Sequence, residues 1–305
     1  CPLSCEIQSG GVAMSWSLYR WIWLLESPLH VGTVPAGSLN RCRLYVPAQA
    51  LWGALVAELA RRNAKGFPDY QNVGNNIQQN TRFTYLYPAE LYGNEWYAWL
   101  PRYERGKGLV WRRENRDDNG GDIHDRILRM RLLITRPATA IDPLSDTAAE
   151  GTLRETECIN THWRDENERA ASPVALVGYV FLKEKVTIFE EIDLVTIGGD
   201  TRYGLGRLRR SGKCKPADHV FGCSVRLDTP DPSIQSDLLL CHGDAPLNAN
   251  GKMIGQLESL VRWDYGKGCV KDFSSSLWMP GSRWESADSR CAVWRICPSG
   301  QLVRL

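Results

Sequence analysis

The sequence predicts an α+β protein: a ferredoxin-like (RRM-like) β-α-β-β-α-β core with large insertions, one of them a projecting hairpin, and a C-terminal extension. Three observations carry that prediction. Leu18–Leu25 is an aromatic, β-prone run that Pro28 and Gly32 close, the pattern of a first strand. Ala48–Arg62 repeats leucine at Leu51, Leu55 and Leu59, the i, i+4 spacing of one helix face. A second apolar strand, spanning residues 173–182, precedes the glycine-rich stretch Thr196–Arg210, whose end again reads as a strand.

Composition bounds what the chain can be. Its 305 residues suffice for one large or two ordinary domains. With 43% hydrophobic and 24% charged residues it fits a soluble globular protein. The net charge is +2, so any surface for nucleic acid must be local rather than global. No apolar run approaches the ~18 residues that cross a bilayer. Trp21–Leu25 is far too short, and no basic-then-apolar leader is present. A cytoplasmic protein without membrane partners is expected. Residues 1–13 read as an appendage or linker remnant, since Cys1–Cys5 has no pattern and Gly10 and Gly11 precede Met14.

The elements follow in order across a core of residues 14–210. Pro47 suits the first turn of the 48–62 helix, and Arg61 and Arg62 suit its negative C-terminal end. Residues 63–126 read as an insertion. Asn72–Asn80 is expected to be polar loop, and Phe83–Tyr87 and Glu95–Leu100 to be strands. Between Arg102 and Arg116, six basic residues surround Tyr103 and Trp111. That interleaving suits phosphate and base contacts, or equally an ordinary amphipathic hairpin. Ile127–Arg136 reads as a strand, and residues 137–160 as the projecting hairpin. Its carboxylates, Asp142, Asp146, Glu150, Glu155 and Glu157, serve either acid–base or metal chemistry or a solvated turn. Thr187–Val195 is expected to form a short helix. Residues 211–305 form the extension, whose Trp263, Trp278, Trp284 and Trp294 belong either to a core or to a partner-facing surface.

The chemistry concentrates in the glycine stretch. Gly198, Gly199, Gly204 and Gly206 alternate with Arg202, Arg207, Arg209 and Arg210, opposed by Asp200. Glycines admit positive φ and close ligand approach. Exposed N–H groups in such a loop form an anion-binding concavity, and arginine adds bidentate phosphate contacts. The stretch is either a phosphate or nucleic-acid cradle or a tight turn beside a basic strand. It is not a P-loop, because no Lys-Ser or Lys-Thr follows Gly204. It is not a dinucleotide fingerprint either, because a strand rather than a helix follows. Ten cysteines include no C-x-x-C pair. Cys214, His219, Cys223, Cys241 and His242 could gather on a zinc, although their spacing fits no standard finger. Otherwise the cysteines are expected to be reduced and buried, and no other cofactor is expected.

Four segments, taken in order, resemble the RAMP superfamily of CRISPR-associated proteins. Leu24–Gly32 resembles its opening strand and Ser-Pro-Leu-His-x-Gly turn. Tyr45–Leu55 resembles its Gly-Ser-x-x-x-Gly-Ala-Leu helix start, with Ala48 and Gln49 replacing Gly-Ser. Ala140–Glu157 resembles the thumb-like hairpin of effector backbone subunits, and Gly198–Gly206 its glycine-rich loop. Pro280–Ser282 resembles a C-terminal feature of some members.

The resemblance implies a backbone or capping subunit of a type III RNA-guided ribonucleoprotein in prokaryotic antiviral defence. Its partners would be CRISPR RNA, target RNA and other effector subunits. By that likeness Gly198, Gly199, Arg202, Gly204 and Gly206 hold the guide, with Arg41, Arg43 and Arg207 beside them, and the hairpin contacts the guide–target duplex. The alternative is an endoribonuclease that cleaves target or processes guide RNA. The aspartate that cutting subunits carry after the first strand is missing, for no Asp or Glu lies between Ser27 and Ala57. His30, Asp142 and Asp146 remain the catalytic candidates.

Overall fold

The computed structural model describes residues 15–115, 121–164, 172–183, 192–244, 251–264, 269–272, 276–286 and 291–305. The expected appendage, 1–13, therefore lies outside the described residues. The principal elements of the first part are β1 (Ser17–Leu25), α1 (Ala48–Arg62), α2 (Tyr70–Asn80), β2 (Thr81–Phe83), β3 (Tyr87–Tyr92), β4 (Glu95–Glu104), β5 (Gly108–Arg113), α3 (Asp125–Leu132), β6 (Leu133–Ala138), β7 (Arg154–Ile159), β8 (Ala175–Leu182), β9 (Leu194–Thr196) and β10 (Arg207–Arg210).

The main sheet runs β9-β10-β1-β8-β3-β4-β5, with β2 also paired to β8. Every pairing along it is antiparallel. Stripped of insertions, the order is last strand, first, third, second, the arrangement of a ferredoxin-like sheet. β8 sits at its centre and is buried along all eight residues, because both its faces are covered. Leu51, Leu55 and Leu59 of α1 are buried as their spacing predicts, with Ala48, Ala54, Val56 and Ala60 beside them.

Two elements differ from the sequence reading. The polar segment 72–80 is not loop but most of α2. Asp69 caps it by accepting the Asn72 N–H at 3.0 Å. Gly74 and Ile77 are buried, and the Trp52 ring lies within contact distance of the Gly74 site. Tertiary packing, not propensity, makes this helix. The expected strand 127–136 is divided between α3 and β6. Leu128 and Leu132, four residues apart, are both buried, and Arg129 pairs with Asp125 at 2.8 Å across one turn. Further along, Leu194 and Val195 lie in a strand rather than the expected helix, and 187–191 fall outside the described residues.

The basic and aromatic segment after Arg102 is the amphipathic hairpin β4–β5. Tyr103 and Trp111 are buried. Arg112 pairs with Asp122 at 2.6 Å, and Arg105 with Glu285 at 2.5 Å. Arg113 bonds Asn115 and lies over the Tyr92 ring. Arg105 and Arg112 are thus already matched by carboxylates within the chain.

The extension builds an eight-stranded sheet from short strands between His219 and Arg304. Trp284 and Trp294 belong to the same apolar cluster as Trp21 and Trp23 of β1, which fits the core reading for these two tryptophans. Tyr87 donates to the Leu240 carbonyl at 2.7 Å, and the Trp16 indole N–H to that of Thr229 at 3.1 Å. No helix among the described residues is long and apolar enough to cross a membrane.

Candidate nucleic-acid interface

The glycine stretch is a compact loop between β9 and β10. Asp200 takes a left-handed conformation (φ 55°) and Gly204 another (φ 84°), and between them Thr201–Tyr203 make a single 3-10 turn. Gly198 and Gly206 also have positive φ, at 92° and 79°. These two are locked from within. A Cβ at Gly206 would fall on the Ile197 carbonyl, and one at Gly198 on the His30 carbonyl. Gly199 lies against the His30 ring, where a Cβ would stand 2.9 Å from its Cδ2. Gly204 differs, for nothing lies within 4 Å of the place its Cβ would take. Among the described residues no acceptor lies in reach of the Asp200, Thr201 and Arg202 N–H groups.

What the loop packs against is the turn after β1. The Gly199 N–H donates to the His30 carbonyl at 2.9 Å, and the Gly206 N–H to that of Pro28 at 2.8 Å. The Arg207 N–H donates to Ser27 Oγ at 2.9 Å. Two motifs at opposite ends of the core thus form one unit. The turn is fastened in turn to the base of the hairpin. Leu29 and Ile159 exchange backbone bonds of 2.9 and 2.7 Å, and His30 Nδ1–H donates to the Glu157 carbonyl at 2.7 Å. The Cys42 N–H donates to the Glu157 carboxylate at 2.9 Å.

The hairpin itself is β6 paired antiparallel with β7, capped by the two-residue pairing of Ile141–Asp142 with Thr147–Ala148. Leu39–Asn40 adds a parallel strand at the side of β7. Between hairpin and glycine loop lies a cleft of about 450 Å³. Arg136, Pro137, Ala138, Arg154 and Thr156 line one wall and Asp200, Tyr203 and Leu205 the other. Arg136 and Arg154 are exposed, and the Arg154 guanidinium stands 5.3 Å from the centre of the Tyr203 ring. The cleft therefore presents two cations and an aromatic ring on one surface.

The candidate residues divide by location. Arg202 is exposed on the 3-10 turn, and Arg41 is exposed just after the strand that flanks β7. Arg207 is exposed as well, and pairs with Glu26 at 2.6 Å. The two arginines 207 and 209 hold Glu26 below the usual carboxylate range, Arg209 foremost. Arg43 is mostly buried, bonded to Glu258 and to the Gly32 carbonyl. Glu258 also bonds His242 Nε2 at 2.9 Å, and His242 Nδ1 lies 2.8 Å from the Tyr85 hydroxyl. Arg43 thus belongs to a closed polar chain that ties the extension to the loop after β1.

His30 is held at the junction of turn, loop and hairpin, whereas Asp142 and Asp146 lie in the turn at the hairpin tip. Asp142 accepts from the Leu144 N–H at 3.1 Å and Ser145 Oγ at 2.7 Å. Those bonds, the backbone one first, lower its pKa. Asp146 adopts φ 54° in the same turn. The structure does not bring these two and His30 into one constellation. Nor does it gather the zinc candidates. Among the described residues no three His, Cys, Asp or Glu side chains come together. Cys241 is buried, with its pKa pushed up to about 12 by desolvation. His242 serves the Glu258 chain, and His219 pairs with Asp218.

Sequence reasoning missed Arg136, Arg154 and Tyr203 as a group. Each sits in a segment the sequence singles out, but their meeting depends on the β6–β7 register, which pairs Arg136 with Thr156 and Arg154 with Ala138.

No protein-family model and no curated protein matches the sequence. The fold does match solved structures. A chain of the type III-B Cmr-beta complex bound to cognate target RNA and AMPPnP superposes with a TM-score of 0.57 at 12% identity, covering 87% of this chain and 86% of that one. A chain of the same complex bound to cognate target RNA gives a TM-score of 0.54 at 13% identity, with coverage of 87% and 86%. At that identity the likeness is one of fold: a mixed α+β architecture shared with those chains.

Proposed function

We propose that this chain is a subunit of a type III CRISPR effector complex that holds CRISPR RNA in the cleft between the glycine loop and the hairpin. Target RNA and neighbouring subunits would be its further partners. The observation that carries the reading is the cleft itself, lined by Arg136, Arg154 and Tyr203, with the exposed Arg202 and unengaged N–H groups on the same glycine loop. Such a surface suits a phosphodiester chain: backbone donors and guanidinium groups supply sequence-independent contacts. A net charge of only +2 does not oppose this, since phosphate contacts need only a local group of cations. The shared fold with Cmr-beta chains supports the assignment to such a complex, and the binding of those complexes to target RNA supports RNA as the ligand.

The reading is tested by affinity purification from cells that express the protein with its neighbouring genes, followed by sequencing of bound RNA. Repeat-derived RNAs of uniform length are expected, with their yield strongly reduced by Arg202→Ala combined with Arg154→Ala. A partner-free, RNA-free protein would overturn it. In vitro, single-stranded RNA affinity should fall steeply with salt, and each arginine removed from the cleft should lower the log–log slope by about 0.7.

A further inference from the structure

We propose that the outer face of α1 and α2 docks on a second copy of this chain about a two-fold axis, with Phe67 of each copy seated in the groove of the other. The proposal is independent of the RNA-binding reading, since it uses no residue of the cleft.

Phe67 is 100% exposed, in the connector between α1 and α2. A large aromatic side chain wholly in water contributes nothing to the chain's own core, and such surface marks a contact. Pro68 disfavours helical backbone at the residue before it and so restricts how the ring is presented. A ring held this way loses little conformational freedom on docking.

Beside it lies a groove of about 730 Å³, well inside the range for binding concavities, roughly 300–1,000 Å³. Trp52, Val56 and Ala57 of α1 line it, with Tyr70 and Gly74 of α2 and Pro68 between them. The Trp52 indole N–H donates to the Gly74 carbonyl at 3.3 Å, which ties the two helices together. Tyr70 is 48% exposed at the rim.

The neighbourhood of knob and groove selects the occupant. A surface that carries both within a few residues is self-complementary under a two-fold rotation, the commonest symmetry of soluble oligomers. The charges agree. Lys65 stands two residues before Phe67 and Asp69 two residues after it, and both are exposed. Among the described residues neither has a partner of opposite charge, and Glu58 nearby is engaged by Arg61 and Arg62. Bonds from Asn72, the backbone N–H first, hold the Asp69 carboxyl below its usual range, so it stays anionic. A two-fold axis beside Phe67 reverses the chain direction and brings Lys65 of each copy to Asp69 of the other. The contact is small, so a reversible dimer rather than a permanent one is expected.

The test is sedentation equilibrium on the full chain, freed of nucleic acid by nuclease so that RNA cannot bridge two copies. Dimer formation is expected to rise with concentration. Phe67→Ser should weaken it about ten-fold or more and leave the melting temperature unchanged, because the ring is exposed. Lys65→Glu should also weaken it, and adding Asp69→Lys to Lys65→Glu should restore it. Loss of the Asp69 cap cannot produce that restoration. A photo-crosslinking phenylalanine at position 67, in a mixture of light and isotope-labelled chains, should join light to heavy through residues 52–57 or 70–74. A parent that stays monomeric up to about 1 mM, or a dimer indifferent to Phe67→Ser, overturns the proposal. So does a crosslink from position 67 that goes only to a different protein in the assembly purified from cells.

Discussion

Gly206 and Gly204 stand two residues apart with nearly the same φ, yet they do different things. At Gly206 a side chain would meet the Ile197 carbonyl, whereas at Gly204 it would meet open space. Gly206→Ala should therefore cost about 3 kcal/mol, since backbone must move as well as twist. Gly204→Ala should cost about 1 kcal/mol, the conformational penalty alone. Urea unfolding of the two variants separates these outcomes. The sequence shows four glycines in one stretch but not which of them are wedged. That depends on His30, whose carbonyl stands behind Gly198, and on the fold of the loop itself, which sets the Ile197 carbonyl behind Gly206. The same holds for Arg43. As a residue it resembles its neighbour Arg41, and only the fold places Glu258 beside it.

At the scale of elements, the loop after β1 is gripped from two sides, by the hairpin through Glu157 and by the extension through Glu258. The second grip is sensitive to acid. Burial pushes the His242 pKa below its ordinary value of 6.5, against the pull of Glu258. Burial alone would raise Glu258, but its bond to His242 and the Arg43 charge outweigh this and hold it low. Both folded-state values are depressed, so the unfolded chain binds protons more readily. Stability is full above the ordinary pKa of each group and falls as pH drops. Loss should begin below about pH 6.5, where unfolded histidine protonates. His242→Gln should flatten the decline between pH 7 and 5, as followed by thermal melts. The elements also show where the sequence is legible. α1 and β1 are visible in it because their own side chains carry the period. α2 is invisible because its segment is asparagine- and glutamine-rich, and it becomes a helix through the Asp69 cap and contact with Trp52. α3 is masked because the run Ile127–Ile134 satisfies a strand as readily as the Leu128/Leu132 helix face.

Across the whole molecule, the two sheets are joined by one apolar cluster. Trp294 has no exposed surface, and its indole N–H donates to the Ser236 carbonyl at 2.7 Å. It shares that cluster with Val177 and Phe181 of β8. Trp294→Ala should cost about 3–5 kcal/mol. Its effect should also reach the first sheet: amide exchange in β8 should quicken along with that of Ser233–Gln235. Unchanged exchange in β8 would mean that the two sheets unfold separately. The tryptophans of the extension are visible in the sequence as an apolar resource. The bonds that seat the extension are not, because Tyr87 and Trp16 reach the Leu240 and Thr229 carbonyls from 153 and 213 residues away.

The cleft and the turn its loop packs on are assembled from three stretches far apart in the sequence: residues 26–43, 133–159 and 197–207. The last must arrive before the first acquires its final shape, since Gly199 and Gly206 bond to the carbonyls of His30 and Pro28. Such distant closures come late in folding, after the chain entropy they oppose has been overcome elsewhere. During synthesis the ribosome must therefore release the glycine loop before the cleft has both its walls. A truncated or stalled product ending before Thr196 carries the hairpin and its arginines but no ring, no loop donors and no opposing wall. On the function proposed above, capture of RNA would then report that translation has passed that point.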